Sequence, residues 1–224
     1  YKVVRAAVPC YSHVLEEILV EGFVIRVEVY TLGTNTWRSI DDLNNVNLIY
    51  HKLGYFFNGA LHWQMNRGHD DVIVSFDLVE EKFQEMLPLP DEGEETNVKN
   101  RLGVLGGRLC IYRPSVEKHE VLTMEDYKIK ASWTKLMDIP LRTIFDYKLL
   151  MPLCYTKNGE ILMKVGEMIV VIYNLKENTW RKVPNPEGMS YFDASVYVES
   201  LISPNGLQTY NQRQGRMMKK RRQG

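Results

Sequence analysis

The sequence predicts an all-β fold built from about four repeats of four antiparallel strands each. Aromatic residues recur at positions 37, 83, 133 and 180, a Gly-x-aliphatic motif precedes three of them, and proline follows three of them. No long segment shows the 3.6-residue periodicity of an amphipathic helix. Repeats of about 40 to 50 residues with four strands each are typical of β-propeller blades. The predicted fold is therefore a β-propeller-like, kelch-like array whose first repeat lacks its upstream part.

The clearest element of the repeat joins two aromatic residues that lie seven positions apart. These pairs are Tyr30 with Trp37, Phe76 with Phe83, and Tyr173 with Trp180. The residue after the first aromatic is Thr31, Asp77 or Asn174, whose side chain can bond to its own backbone and begin a turn. We expect the first aromatic to end one strand and the second to open the next. A looser fourth copy reaches Trp133 after a longer turn.

The second element is a glycine placed two residues before an aliphatic residue. The three copies are Gly59 with Leu61, Gly107 with Leu109, and Gly159 with Ile161. Asn-Gly supplies the positive φ values of a two-residue type I′ turn, which is the strongest short-range signal for a hairpin. Leu61 and Trp63 then alternate with other residues, as in a half-buried strand. We predict that these aromatic, glycine and aliphatic residues form the structural core of the repeats.

The repeats are predicted to form one domain over residues 1–204, followed by a disordered basic tail over residues 205–224. The chain has 28 basic and 28 acidic residues, but its last fourteen residues hold six basic residues and no acidic one. The repeat body is therefore acidic, which argues against nucleic-acid binding by the propeller. The run Lys219-Lys220-Arg221-Arg222 is a candidate nuclear-import patch, and a frayed solubilising terminus is the alternative.

The sequence offers no convincing catalytic, cofactor or metal site. The nearest approach to a metal cluster is His62, His69, Asp70 and Asp71, which fits a polar hairpin better. The three cysteines are widely spaced, which suits buried thiols in a reducing compartment and a cytoplasmic or nuclear location. Apolar runs reach only about six residues, so no membrane span is expected.

Polar segments that interrupt the repeat are the candidate partner-binding loops. These segments are residues 66–71, 91–100 and 113–120. The candidate contact residues within them are Asn66, Arg67, His69 and Asp70, then Asp91, Glu92, Glu94 and Glu95, then Arg113, Glu117 and Lys118. Rigid scaffolds present binding residues on such connections.

The repeats resemble the plant F-box-associated interaction domain, the C-terminal part of many F-box and S-locus F-box-like proteins. The matching stretches are residues 1–5, 27–38, 57–63, 73–90 and 173–184, and the similarity extends over about residues 1–204. The resemblance implies a β-propeller-like fold that recruits a target protein to a Skp–cullin–F-box ubiquitin ligase. It also implies that the Skp adaptor and cullin bind through an F-box, which this chain lacks. The family has no shared catalytic residues.

Three alternatives remain open at this point. A carbohydrate-active propeller enzyme would need convergent carboxylates, and the Gly33–Trp37 turn resembles a sialidase Asp-box without its Asp. A stand-alone interaction module that has lost its F-box would keep only the recognition role. A truncated product would have no active partner.

Overall fold

The protein is described by a computed structural model, which covers residues 2–7, 25–43, 47–48, 54–67, 70–87, 89–90, 100–115, 118–140, 150–166, 169–184 and 196. Over these residues the chain is almost entirely β-strand, as predicted. It divides into two compact units, the first formed by Tyr1–Val46 with Tyr197–Gly224 and the second by Asn47–Val196. The predicted basic tail and the cysteine at position 10 lie outside the described residues.

The first unit contains one antiparallel sheet, called sheet 1. Its strands are β1 (Lys2–Ala7), β2 (Ile25–Thr31) and β3 (Thr36–Leu43), in the order β1-β2-β3. Val27 and Val29 on the central strand are each 1% exposed and form the buried side of the sheet.

The second unit contains three sheets, each with four strand positions. Sheet 2 is β4 (Asn47–Leu48), β5 (Tyr55–Phe57), β6 (Ala60–Arg67), β7 (Asp70–Asp77) and β8 (Lys82–Leu87). Strands β4 and β5 pair with the same edge of β6 and together occupy one position. Sheet 3 is β9 (Arg101–Leu105), β10 (Arg108–Pro114), β11 (Lys118–Met124) and β12 (Trp133–Pro140), with a 3₁₀ turn at Lys130–Ser132. Sheet 4 is β13 (Leu150–Tyr155), β14 (Ile161–Val165), β15 (Ile169–Asn174) and β16 (Thr179–Val183).

The three predicted aromatic pairs face each other across neighbouring strands in sheets 1, 2 and 4. Tyr30 is opposite Trp37, Phe76 is opposite Phe83, and Tyr173 is opposite Trp180. Their ring centroids are 5.3, 5.1 and 4.0 Å apart, respectively. In the looser copy Trp133 is opposite Met124 instead of an aromatic residue. Cross-strand aromatic pairs of this kind stabilise a sheet by about 0.2–1 kcal/mol each. The predicted repeat and its strand order are therefore confirmed.

Two of the three predicted hairpin turns have the expected geometry. Asn58 and Gly59 have φ values of +47° and +76°, and Gly106 and Gly107 have +60° and +72°, as a type I′ turn requires. The third turn differs from the prediction. The Gly159 amide donates to the Thr156 carbonyl and the Thr156 amide to the Glu160 carbonyl, at 3.0 and 2.8 Å. This is a three-residue loop in which Gly159 alone has a positive φ value.

The predicted core is only partly correct, because the second aromatic of each repeat lies on the outermost strand. Trp37 is 48% exposed, and Trp133 and Trp180 are half-buried. The turn residues Gly59 and Gly107 are also exposed, since they lie at hairpin tips. Tyr30, Leu61 and Phe83 are half-buried, whereas the fully buried predicted residues are Trp63, Phe76, Leu109, Ile161 and Tyr173.

The two faces of sheet 3 pack into different cores. Leu109 and Ile111 join Ile73 in a cluster between sheets 2 and 3. Cys110 and Tyr112, which alternate with them along β10, join a cluster with sheet 4. The first strand of sheet 3, β9, contacts the first strands of the other two sheets, β5 and β13. The three sheets therefore meet along their first strands and diverge toward β8, β12 and β16.

Candidate protein-interaction surface

The up-and-down strand order divides the loops of the second unit between two ends. Turns between the first and second strands, and between the third and fourth, lie at one end of each sheet, here called the turn end. Turns between the second and third strands, and the connections to the next sheet, lie at the other end, here called the connection end. The described candidate residues of the predicted partner-binding segments, which are Asn66, Arg67, Asp70, Arg113 and Lys118, all belong to the connection end. This shared location does not follow from their order in the sequence.

The structure places most of the described candidate residues in strands, which corrects their description as loops. Asn66 and Arg67 end β6, and Asp70 begins β7. Arg113 lies within β10, and Lys118 begins β11. The strands continue almost to the tip of each hairpin. The polar residues that interrupt the apolar alternation therefore lie at the ends of strands. The remaining candidates lie outside the described residues, and they are His69, Asp91, Glu92, Glu94, Glu95 and Glu117.

A network of five charged residues, called the charged network, covers one face of sheet 3 from the middle of the sheet to the connection end. Lys118 Nζ lies 3.3 Å from Glu120 and 3.0 Å from Asp138, and Lys135 Nζ lies 3.7 and 3.2 Å from the same carboxylates. Arg113 lies 3.5 Å from Glu120. The register explains the grouping, because Arg113 is opposite Glu120 and Glu120 is opposite Asp138.

Two members of the charged network, Lys118 and Asp138, have pKa shifts that favour their charged forms. Hydrogen bonds to Asp138 and Glu120 raise the pKa of Lys118. Burial alone would raise the pKa of Asp138, but hydrogen bonds from Lys118 and Lys135 outweigh it and lower the pKa. Exposed ion pairs stabilise a fold by only about 0–1 kcal/mol each, so this arrangement contributes little to stability. Ordered charges of both signs suit recognition of a complementary protein surface.

Gln64 ties sheet 2 to sheet 3 at the connection end. Its side-chain oxygen accepts a hydrogen bond of 3.0 Å from the Leu102 amide, and its nitrogen donates at 3.0 Å to Asp71. Gln64 is 9% exposed, so these bonds satisfy polar groups that burial would otherwise penalise. Asp71, which the sequence suggested as a weak metal ligand, is thus engaged in this link.

A second link between the same two sheets comes from the longer turn between β11 and β12. The Tyr127 hydroxyl lies 2.8 Å from His62 Nε2, and its ring packs edge-on against Phe57 at 5.5 Å. His62 Nδ1 lies 3.3 Å from the Tyr55 carbonyl, which only accepts. Nδ1 therefore carries the proton, and the Tyr127 hydroxyl donates to Nε2. Both nitrogens are occupied, which leaves His62 unsuited to binding a metal.

Burial makes His62 and Cys110 poor candidates for catalytic groups. His62 is fully buried, and burial lowers its pKa. Burial raises the pKa of Cys110 to about 12, so its thiol stays protonated and weakly nucleophilic. The described part of the chain contains no group of three potential metal ligands. Nor does that part contain a helix long and apolar enough to cross a bilayer.

The candidate segment 113–120 contains three of the five residues of the charged network, which are Arg113, Lys118 and Glu120. Lys135 and Asp138 were missed because they lie on the following strand, outside any interruption of the repeat. Tyr127 and Gln64 were also missed, since their partners lie 65 and 38 residues away. The longer turn before Trp133 was the one visible signal for Tyr127.

Comparison with known proteins gives a consistent result. The family model for the F-box associated β-propeller domain matches residues 1–204. The F-box protein CPR1 of Arabidopsis thaliana is 27% identical over 221 residues, covering 90% of this chain and 53% of that protein. A second Arabidopsis F-box protein is 29% identical over 178 residues, covering 67% of this chain and 42% of its own length. An Arabidopsis F-box/kelch-repeat protein is 25% identical over 189 residues, covering 82% of this chain and 50% of that protein. The chain spans about half the length of the curated relatives it matches.

Proposed function

Because the chain belongs to the F-box associated β-propeller domain family, we propose that it binds target proteins and recruits them to a Skp–cullin–F-box ubiquitin ligase. The observation that carries this proposal is the family match over residues 1–204, together with relatives that are named F-box proteins. The Skp adaptor and cullin would be reached through an F-box, which residues 1–204 do not supply. We propose a cytoplasmic or nuclear location, with the basic patch at 219–222 as the nuclear address.

In the proposed mechanism the domain binds a target protein and thereby holds it near a ubiquitin-conjugating enzyme. Sheets 2 and 3 are tied together at the connection end by Gln64 and at the turn end by Tyr127, so a target meets a preorganised surface. Holding the target beside a ubiquitin-conjugating enzyme raises the effective concentration of its lysines. The chain itself would carry out no chemical step.

The alternative of a carbohydrate-active enzyme finds little support. Glycoside hydrolysis uses two carboxyl groups, one of which must have a raised pKa to act as an acid. Asp138 has a lowered pKa, and both Asp138 and Glu120 are bound to lysines. Asp138 and Glu120 are thus arranged as ion-pair partners and not as an acid and a base.

The proposal can be tested in plant cells with the tagged, full-length protein that contains this chain. Proteins that co-purify are quantified with and without an inhibitor of cullin activation. We expect Skp and cullin among them, together with a target that accumulates when the ligase is blocked and loses ubiquitylation when the gene is deleted. If neither the abundance nor the ubiquitylation of any captured protein depended on this chain, the proposed function would be wrong.

A further inference from the structure

Arg101 is a half-buried cation at the connection end of the second unit. It begins β9, the first strand of sheet 3, and its Nε atom is buried without a hydrogen-bond partner. No ion pair involving Arg101 occurs among the residues that the structure describes. By contrast, Arg113 on the opposite face of the sheet lies 3.5 Å from Glu120. A partly desolvated guanidinium without a carboxylate is an unusual arrangement, because burial penalises an uncompensated charge.

Two buried polar side chains lie beside Arg101 on the same face of sheet 3. Arg101 is directly opposite Tyr112, and His119 lies one diagonal step further, on β11. Tyr112 and His119 are 1% and 3% exposed, and their ring centroids are 5.0 Å apart. The Tyr112 hydroxyl and both nitrogens of His119 have no hydrogen-bond partner. A buried polar group left without a hydrogen-bond partner destabilises the folded state, so a ligand that supplies the partner is favoured.

The three side chains share one chemical requirement. Arginine offers only donors, a tyrosine hydroxyl can donate, and a neutral imidazole carries one N–H. A ligand that satisfies all three must therefore accept hydrogen bonds and carry negative charge. The planar fork of a guanidinium fits the two oxygens of a carboxylate, which favours that group over a spherical anion.

We propose that Arg101, Tyr112 and His119 form a carboxylate-binding site that receives either an Asp or Glu side chain or the C-terminal carboxylate of a target protein. This inference rests on the proposed function, since it names the chemistry of the surface that binds the target. Arg101 makes the first contact because it is the least buried of the three. Tyr112 and His119 supply the additional donors behind the ion pair.

Fluorescence anisotropy with labelled model peptides tests the site directly. Acetyl-hexaglutamate amide presents only side-chain carboxylates, and acetyl-hexaalanine with a free terminus presents only the terminal carboxylate. Acetyl-hexaglutamine amide and hexaalanine amide are the neutral controls. We expect one of the two carboxylate peptides to bind saturably and its neutral control not to bind. We expect Arg101→Gln to weaken binding by about tenfold or more, Arg101→Lys to weaken it less, and Tyr112→Phe to weaken it severalfold.

Arg108→Gln is the matched control, because Arg108 lies on the same β9–β10 hairpin but at the turn end, 3.1 Å from Glu125. It removes the same charge and should leave peptide affinity unchanged. Circular dichroism and thermal melting confirm that each variant is folded. Equal losses in Arg101→Gln and Arg108→Gln would overturn the site, as would tighter binding of a phosphoserine peptide or no binding of either carboxylate peptide. If Arg101→Gln fails to affect the peptides while the full-length protein still captures its target, only this inference fails and the proposed function stands.

Discussion

At the scale of single residues, two histidines in similar strands have opposite surroundings. His62 has a partner at each ring nitrogen, whereas His119 has none, although both are buried. Burial lowers the pKa of His119 to about 4. The imidazole of the folded protein is therefore neutral at pH values where the unfolded chain already binds a proton.

This difference predicts a pH dependence of stability. Between the unfolded pKa of about 6.5 and the folded pKa of about 4, the unfolded state binds more protons, so stability falls as the pH is lowered through that window. His119→Phe keeps a ring against Tyr112 but removes the titration. We expect the variant to lose less stability than the wild type between pH 6.5 and pH 4, by on the order of 2 kcal/mol. Urea denaturation at a series of pH values measures this, and parallel curves for the two proteins would contradict the assignment.

Residue type alone predicted burial correctly only for strands that have a neighbouring strand on each edge. Trp63 and Trp37 are the same residue type in equally regular strands, yet Trp63 is 4% exposed and Trp37 is 48% exposed. Trp63 lies on an inner strand of its sheet and Trp37 on an edge strand. The sequence pattern specifies the strand but does not specify what covers it.

At the scale of elements, the hairpin turns follow closely from sequence because their geometry is local. Gly106 and Gly107 both require the left-handed region, which residues with a Cβ atom adopt at a cost of about 1–2 kcal/mol. The links through Gln64 and Tyr127 could not be predicted in the same way. Their partners come together only after the sheets have packed, and no periodicity reports such a contact.

The two glycines of the β9–β10 hairpin should differ in how well they tolerate alanine. A Cβ atom on Gly107 meets open space, whereas one on Gly106 would lie 2.8 Å from Cε2 of Tyr155 on the neighbouring sheet. We expect Gly107→Ala to cost about 1 kcal/mol of unfolding free energy and Gly106→Ala to cost more, since it adds a steric conflict to the same backbone strain. Chemical denaturation measures both. In a Tyr155→Ala background the two substitutions should cost the same, and a persistent difference would show that Tyr155 is not the cause.

At the scale of the whole molecule, the periodic features of the sequence predicted the family, the strand order and the number of sheets. The aromatic pairs and glycine turns repeat because each sheet has the same strand order and the sheets of the second unit pack against one another in the same way. The interaction surface does not repeat, so its members had to be found by their interruption of the pattern. That signal located the segment 113–120, with Arg113, Lys118 and Glu120, but not Lys135 or Asp138 on the next strand.

The two ends of the second unit are also chemically different. The connection end bears the charged network and Arg101. The turn end bears exposed aliphatic side chains such as Val79, which is 84% exposed. The charged side chains of the turn end, such as the exposed Lys157 and Lys176, lie on separate turns, and the Asp77 carboxylate accepts hydrogen bonds from the Val79 and Glu80 amides of its own turn at 2.8 and 2.9 Å. We therefore place target recognition at the connection end.

The most direct test of this placement is the affinity of the captured target for two matched charge-reversal variants. Lys118→Glu with Lys135→Glu alters the connection end, and Lys157→Glu with Lys176→Glu makes the same change in net charge at exposed positions of the turn end. Charge reversals within a binding surface commonly change affinity strongly, whereas distant ones act only through weak long-range fields. We expect the connection-end variant to bind the target about tenfold more weakly or worse, and the turn-end variant to bind like the wild type. Loss of binding in the turn-end variant, with wild-type affinity in the connection-end variant, would contradict the account.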